Sequence, residues 1–160
     1  MTDNLVIELC SGIGRFPGDN VISIDVNRKM KPTIIADIRY LPLRPKLRPK
    51  LCHASPPCTY FSYARIRKYG YCEDGLAESF RLVAACFDAF VYLEAEMWTL
   101  ENPNGVLSRI CHPSVRTSYP AYDIVNKKTW FWSNRKDALY RALIPKDVRQ
   151  RILTEALEGV

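Results

Sequence analysis

The chain has 160 residues, 48% apolar and 25% charged, with 23 Lys and Arg against 17 Asp and Glu, a formal net charge of +6. That balance excludes a disordered chain and suits one globular domain over residues 1–160, large enough to bury a core without disulfides. No apolar run approaches the length of a membrane span, and MTDNLVIELC lacks the basic-then-apolar order of a signal peptide, so a cytoplasmic location with no membrane partner is expected.

Leu5 to Leu9 is a short apolar run that ends in a glycine-containing turn and predicts a buried strand. Val21 to Asp25 and Thr33 to Ala36 predict the second and third strands. LPLRPKLRPK, with three prolines in eight positions, excludes a helix. Leu51 to Ser55 predicts a fourth strand, stopped by Pro56 and Pro57. Leu76, Phe80, Val83, Phe87, Phe90 and Val91 fall near helical spacing and predict a helix from Gly75 to Met97, with Asp74 as its cap. Trp98 to Glu101 then predicts a strand, stopped by Asn102-Pro103. Tyr122 to Val125 and Thr129 to Trp132 predict a strand pair around Asn126-Lys127-Lys128, and Pro145 opens a last helix to about Leu157. Strands separated by crossovers, followed by an antiparallel pair, predict an α/β fold with a mostly parallel sheet and an antiparallel edge.

In such sheets ligands bind at the carboxyl ends of the strands. Gly12 and Gly14 follow the first expected strand, Asp25 ends the second, Asp37 follows the third, Cys58 the fourth, and Glu101 ends the fifth. Glycines let backbone approach a ligand closely, and a carboxylate ending the next strand can accept ribose hydroxyls. Two prolines before Cys58 stiffen the loop that carries a candidate nucleophile. A thiol nucleophile acts as thiolate, and Arg65, Arg67 and Lys68 bring positive charge nearby. Glu101 is a candidate proton donor or acceptor.

Eight basic residues lie between positions 28 and 50 (Arg28, Lys29, Lys31, Arg39, Arg44, Lys46, Arg48 and Lys50) against one acid, Asp37. A stripe of that sign predicts a polyanionic partner, most simply nucleic acid. The six cysteines include no CxxC pair, and Cys111-His112 is isolated, so no metal site is expected and the thiols are read as reduced.

ELCSGIGRF, SPPCTYFS and LENP, in that order, resemble the motifs of DNA (cytosine-5)-methyltransferases, whose usual forms are DLFAGxGG, a PCxxFS loop and an ENV strand end. The similarity runs from about residue 5 to 108. It implies a Rossmann-like class I fold that binds S-adenosylmethionine and methylates carbon-5 of cytosine through a covalent cysteine adduct. It implies Cys58 as nucleophile and Glu101 as the partner of cytosine N3, with Asn102 and Pro57 shaping the pocket. Cys10, Ser11, Gly12, Gly14, Phe16, Asp25, Val26, Asp37 and Ile38 would hold the cofactor. Arg44, Lys46, Arg48, Lys50, Arg65, Arg67, Lys68 and Lys128 would hold nucleic acid, DNA first and RNA as the alternative. The expected setting is a prokaryotic or phage-infected cell.

The sequence departs from that family in three places. Only 12 residues separate Gly12 from Asp25, too few for a full first crossover helix. Cys10 stands where the family commonly has Phe, and Asn126-Lys127-Lys128-Thr129-Trp130 matches the family's QxRxR segment loosely, with Trp130 in place of the second Arg. No target-recognition domain is expected after it, so a partner subunit supplying sequence recognition is a further expectation. These departures motivate an alternative: a catalytically weak or inactive protein that keeps the fold and binds nucleic acid or serves as a partner subunit. A third reading takes Ser55-Pro56-Pro57 as the motif of amino-methyltransferases, but Cys58 occupies the place of their stacking aromatic residue.

Overall fold

The computed structural model describes residues 4–12, 16, 18–119, 127–137 and 157. Among the described residues the strands are β1 (Val6–Leu9), β2 (Val21–Asp25), β3 (Ile34–Ile35), β4 (Leu51–Ala54), β5 (Met97–Pro103), β6 (Val115–Tyr119) and β7 (Lys127–Ser133). Among the described residues the helices with given bounds are α1 (Tyr63–Tyr69), α2 (Glu73–Leu93) and α3 (Leu107–Ile110), and short 3-10 turns cover Arg28–Met30 and Ile38–Tyr40. The strands form one sheet in the order β3-β2-β1-β4-β5-β7-β6. β1 to β5 are parallel, while β7 runs antiparallel to both β5 and β6.

The apolar runs become central strands because both faces are covered: every residue of β1 and β4 is buried. One face packs on α2, whose Val83, Cys86, Ala89, Phe90 and Leu93 recur at helical spacing and meet Ile7, Leu9, Cys52, Ala54 and Leu100. Each such apolar side chain contributes about 1.5–3 kcal/mol relative to exposure. The chain turns from β1 toward β2 on one side and places β4 on the other. The switch in strand order therefore lies between β1 and β4, where the carboxyl ends splay open a crevice. None of the described residues between Leu9 and Val21 is helical, in line with the short spacing there.

Four expectations need correction. Asn102 and Pro103 do not stop the fifth strand at Glu101 but continue it, paired with Trp130 and Thr129 of β7. α2 stops at Leu93, short of Met97, because Glu94 takes a left-handed conformation (φ 51°) and its N–H donates to Phe90 and Val91 carbonyls. The residue before α2 is Cys72, so Asp74 lies within the first turn and favours the helix dipole without capping it. Lys127 and Lys128 belong to β7 and form no turn, and the partners of β7 are β5 and β6. The expected strand Tyr122 to Val125 and the helix from Pro145 lie outside the described residues, apart from Leu157.

Candidate functional site

A cavity of about 470 Å³ opens at the carboxyl ends of β1 to β4, within the size range of small-molecule sites. Cys10 and Gly12 line it from β1, Asp25 and Val26 from β2, and Asp37 and Ile38 from β3. Ser55 and Pro57 close it from β4, and Glu78 and Leu82 from α2. Six of the expected cofactor residues thus share one hollow. Ser11 and Phe16 do not line it. Ser11 is 2% exposed, and Phe16 is buried edge-on against His53, with ring centroids 5.1 Å apart. Gly14 lies outside the described residues.

Asp25 organises the β1 turn. Its Oδ2 accepts from the Gly12 N–H at 2.9 Å and its Oδ1 from the Asn27 N–H at 2.7 Å. Gly12 adopts φ +55°, and a Cβ there would meet nothing within 4 Å, so glycine is required by backbone conformation and leaves open space for a ligand. Cys10 holds a left-handed φ of 52° without being glycine, a strained conformation of the kind found at ligand-binding turns. Asp37 accepts from Arg39 Nε at both carboxylate oxygens, at 2.9 and 3.0 Å. That guanidinium holds the Asp37 carboxyl below its ordinary range, against an opposing contribution from burial. Arg39 also pairs with Glu78, which fixes the β3 end of the cavity to α2.

The Ser55–Ser62 segment is anchored on both sides of Cys58. Before it, Pro56 is buried and its carbonyl accepts from Asn102 Nδ2 at 3.1 Å. After it, the N–H groups of Phe61 and Ser62 both donate to the Cys58 carbonyl at 3.0 Å. Phe61 is fully buried, 4.9 Å edge-on from Phe80 of α2. Ser62 bridges Gly105, just beyond β5. Cys58 itself is half-buried and follows Pro57 of the cavity wall directly. Glu101, also half-buried, lies within β5, one residue past the pairing of Leu100 with Ala54 and two before the strand ends at Pro103. The cysteine loop and the glutamate strand end are thus neighbours in the sheet, tied by Asn102. Two buried side-chain oxygens, Ser11 Oγ and Asn102 Oδ1, have no hydrogen-bond partner among the described residues. Orphaned buried acceptors are rare in native interiors, and of the two Asn102 Oδ1 belongs to the side chain that holds the cysteine loop.

Sequence reading missed a buried polar row beneath this rim. Ser23, Glu8, His53 and Thr99 stand side by side across β2, β1, β4 and β5, all 2% exposed or less. His53 Nδ1 lies 2.7 Å from Thr99 Oγ1, and Nε2 lies 2.9 Å from Ser55 Oγ on the cavity wall. Glu8 Oε2 accepts from the Phe16 N–H at 3.3 Å, pinning the turn after β1. The available signal was the matched place of Glu8 and His53 within two apolar four-residue strands.

The expected basic surface divides. Lys46 and Arg48 pair with Glu94, and Lys50 pairs with Glu96, at the amino ends of β4 and β5, opposite Cys58. Arg44 lies in the same loop, next to Leu43, whose carbonyl accepts from Tyr92 Oη near the end of α2. Acidic partners thus engage four of the eight residues that the sequence presents as a basic stripe, Arg39, Lys46, Arg48 and Lys50. Arg65, Arg67 and Lys68 lie instead on α1, directly after the cysteine loop. Arg65 stacks over Tyr60 at 4.5 Å and Lys68 over Tyr69 at 4.9 Å, while Arg67 is exposed. The side chain of Lys128 lies outside the described residues. Among the described residues no cluster of three or more His, Cys, Asp or Glu could hold a metal, and no helix is long and apolar enough to cross a membrane.

No family model and no curated protein matches the chain. Among solved structures it is similar to an E. coli protein encoded within a prophage and provisionally described as a DNA modification methyltransferase. The identity is 14% and the TM-score 0.54, over 80% of this chain and 45% of that one. The chain therefore spans less than half the length of that neighbour. Sheet order, the parallel core with its antiparallel edge, and this likeness together make the fold an α/β, Rossmann-like methyltransferase fold.

Proposed function

We propose that the protein is an S-adenosylmethionine-dependent methyltransferase acting on carbon-5 of cytosine in nucleic acid, with DNA as the first substrate. One observation carries this reading: the cavity lined by Gly12, Asp25 and Asp37 ends at Pro57, one residue before Cys58, and Asn102 ties that loop to the strand end bearing Glu101. The cavity's residues fit the cofactor, with an open glycine turn, carboxylates at two successive strand ends, and apolar Val26, Ile38 and Leu82 on its walls. S-adenosylmethionine, when bound, supplies an electrophilic methyl group. Asp25 and Asp37 would hold its ribose hydroxyls and adenine amine.

Cys58 forms a bond to carbon-6 of a cytosine turned out of the stack, while Glu101 holds or protonates N3. Carbon-5 thereby gains electron density and becomes the methylated position. Loss of the carbon-5 proton to water, with any N3 proton returning to Glu101, then restores the ring and expels Cys58 as thiolate. The anchoring of Pro56 and Phe61 keeps the sulfur in place at little entropic cost. Arg65, Arg67 and Lys68, on the helix that follows, suit the strand's phosphates.

The test is covalent trapping. DNA or RNA containing 5-fluorocytosine, incubated with protein and S-adenosylmethionine, is expected to give a denaturation-resistant adduct that mass spectrometry maps to Cys58 and that Cys58→Ser abolishes. Absence of any adduct, or a product methylated on an exocyclic nitrogen, overturns the reading. One observation favours the alternative of a fold kept without turnover: Arg39 already engages both oxygens of Asp37 on the cavity wall. Calorimetry with S-adenosylmethionine separates the two, since a lost cofactor pocket gives no heat of binding.

A further inference from the structure

A second cavity, of about 420 Å³, shares no lining residue with the first. Tyr63 at the start of α1, Asn104 just after β5, Arg109, His112, Arg116 and Trp130 form its walls. It opens beside the cysteine loop, because Ser62 bridges Gly105 between Tyr63 and Asn104. Arg116 and Trp130 are directly opposed on β6 and β7, with the guanidinium 4.8 Å from the indole centroid. Arg109 Nε donates to Tyr63 Oη at 2.7 Å. Among the described residues the walls carry no acid and neither guanidinium has a carboxylate partner, whereas Arg39, Lys46, Arg48 and Lys50 are all paired.

Unpaired guanidinium groups set against aromatic faces are the chemistry that takes a phosphate and a stacked base together. We infer that this cavity holds a nucleotide of the substrate strand beside the target base, with Arg109 and Arg116 on its phosphate and Trp130 under its base. The inference rests on the nucleic-acid reading above and adds a site to it.

The test uses the full chain and a fluorescein-labelled single-stranded oligodeoxynucleotide of about twelve residues. Arg109→Gln and Arg116→Gln remove exposed side chains, so both variants are expected to fold. Each should raise Kd about tenfold and lower the slope of log Kd against log salt by about one, while Trp130→Leu weakens binding about tenfold with the slope kept. Lys136→Gln, at an exposed position just past the end of β7, should change neither. Free deoxycytidine monophosphate should compete at least about a hundredfold more weakly than the strand, since it lacks the neighbouring phosphates. Wild-type affinity and slope in both arginine variants, no binding by the wild type, or equal competition by the mononucleotide overturns the assignment. Calorimetry with S-adenosylmethionine and the 5-fluorocytosine adduct are read in parallel. If both succeed while the arginine variants bind normally, this site fails and methyl transfer stands; if both fail while the variants weaken binding, the reverse holds.

Discussion

Asn102 Nδ2 donates to the carbonyl of Pro56 at 3.1 Å, joining the end of β5 to the loop that carries Cys58 across 46 positions of sequence. Both residues are buried, so the bond has no water to replace it. Asn102→Ala leaves the Pro56 carbonyl unsatisfied and is expected to cost about 1–3 kcal/mol. Asn102→Asp keeps the shape but sets an oxygen against an oxygen, and is expected to cost at least as much at neutral pH. Urea midpoints of the two variants test the stability claim. The rate of adduct formation, expected to fall further than stability alone explains, tests the positioning.

Gly105 and Gly12 are required for different reasons, and substitution separates them. A Cβ at Gly105 would stand 2.1 Å from the Phe61 carbonyl oxygen, which is backbone and cannot step aside without moving the segment after Cys58. Gly105→Ala is therefore expected to lower stability by about 1–3 kcal/mol and to slow adduct formation. At Gly12 the space is open and only the positive φ resists a side chain, so Gly12→Ala should cost about 1 kcal/mol and leave the fold intact. Its larger effect should be on S-adenosylmethionine affinity, because the new methyl group points into the room a ligand would use. Thermal unfolding and calorimetry on both variants check the contrast; equal losses in both readouts would contradict it.

How far the sequence foretold this arrangement depended on the range of the interactions. The runs VIEL, VISID and LCHA read as strands because their apolar character is local, and the turn glycine and strand-end acids follow by position. The end of α2 was misplaced because Leu93 to Met97 stays compatible with helix. What stops it is Glu94, held left-handed beside Lys46 and Arg48 from a loop some 46 residues earlier. The same long-range pairing disguised the basic stripe, since charge counted along the chain cannot reveal the acids that meet it in space. The row from Ser23 to Thr99 was hidden likewise: a buried Glu and a buried His become partners only once strand order is known. The second cavity needed the register of β6 on β7, which pairs Arg116 with Trp130.

Asp37 gives a pH signature. Its folded pKa is depressed below the unfolded value by Arg39, so the stabilisation is present above the unfolded pKa and fades as pH falls through the folded one. The pair is partly exposed, so the effect on stability is small. Wild type should be slightly more stable than Asp37→Asn at neutral pH, with the difference shrinking below about pH 4. Arg39→Ala frees the carboxylate while keeping the cavity's other walls. Tighter S-adenosylmethionine binding in that variant shows that Arg39 competes for Asp37; weaker binding shows that the pair presents the carboxylate to the ligand.

Cysteine alkylation separates the candidate nucleophile from the structural thiols. Burial pushes the Cys52 thiol well up, and contact with the Cys10 thiol, followed by burial, does the same for Cys86. Both belong to the core against which β1 and α2 pack. Iodoacetamide reacts with thiolate, so at neutral pH these two should stay unmodified in the folded protein and react only on unfolding. Cys58 is half-buried beside the cavity and should be alkylated in the native state. Cys10 lines the cavity, so saturating S-adenosylmethionine should slow its labelling while Cys58 still reacts. Peptide mass spectrometry over time gives the order. Native labelling of Cys52 or Cys86 at the rate of Cys58 would mean that the β1–β4–α2 core opens as readily as the loop, contrary to its packing. A fully resistant Cys58 would leave that sulfur inaccessible to a base and remove it as nucleophile.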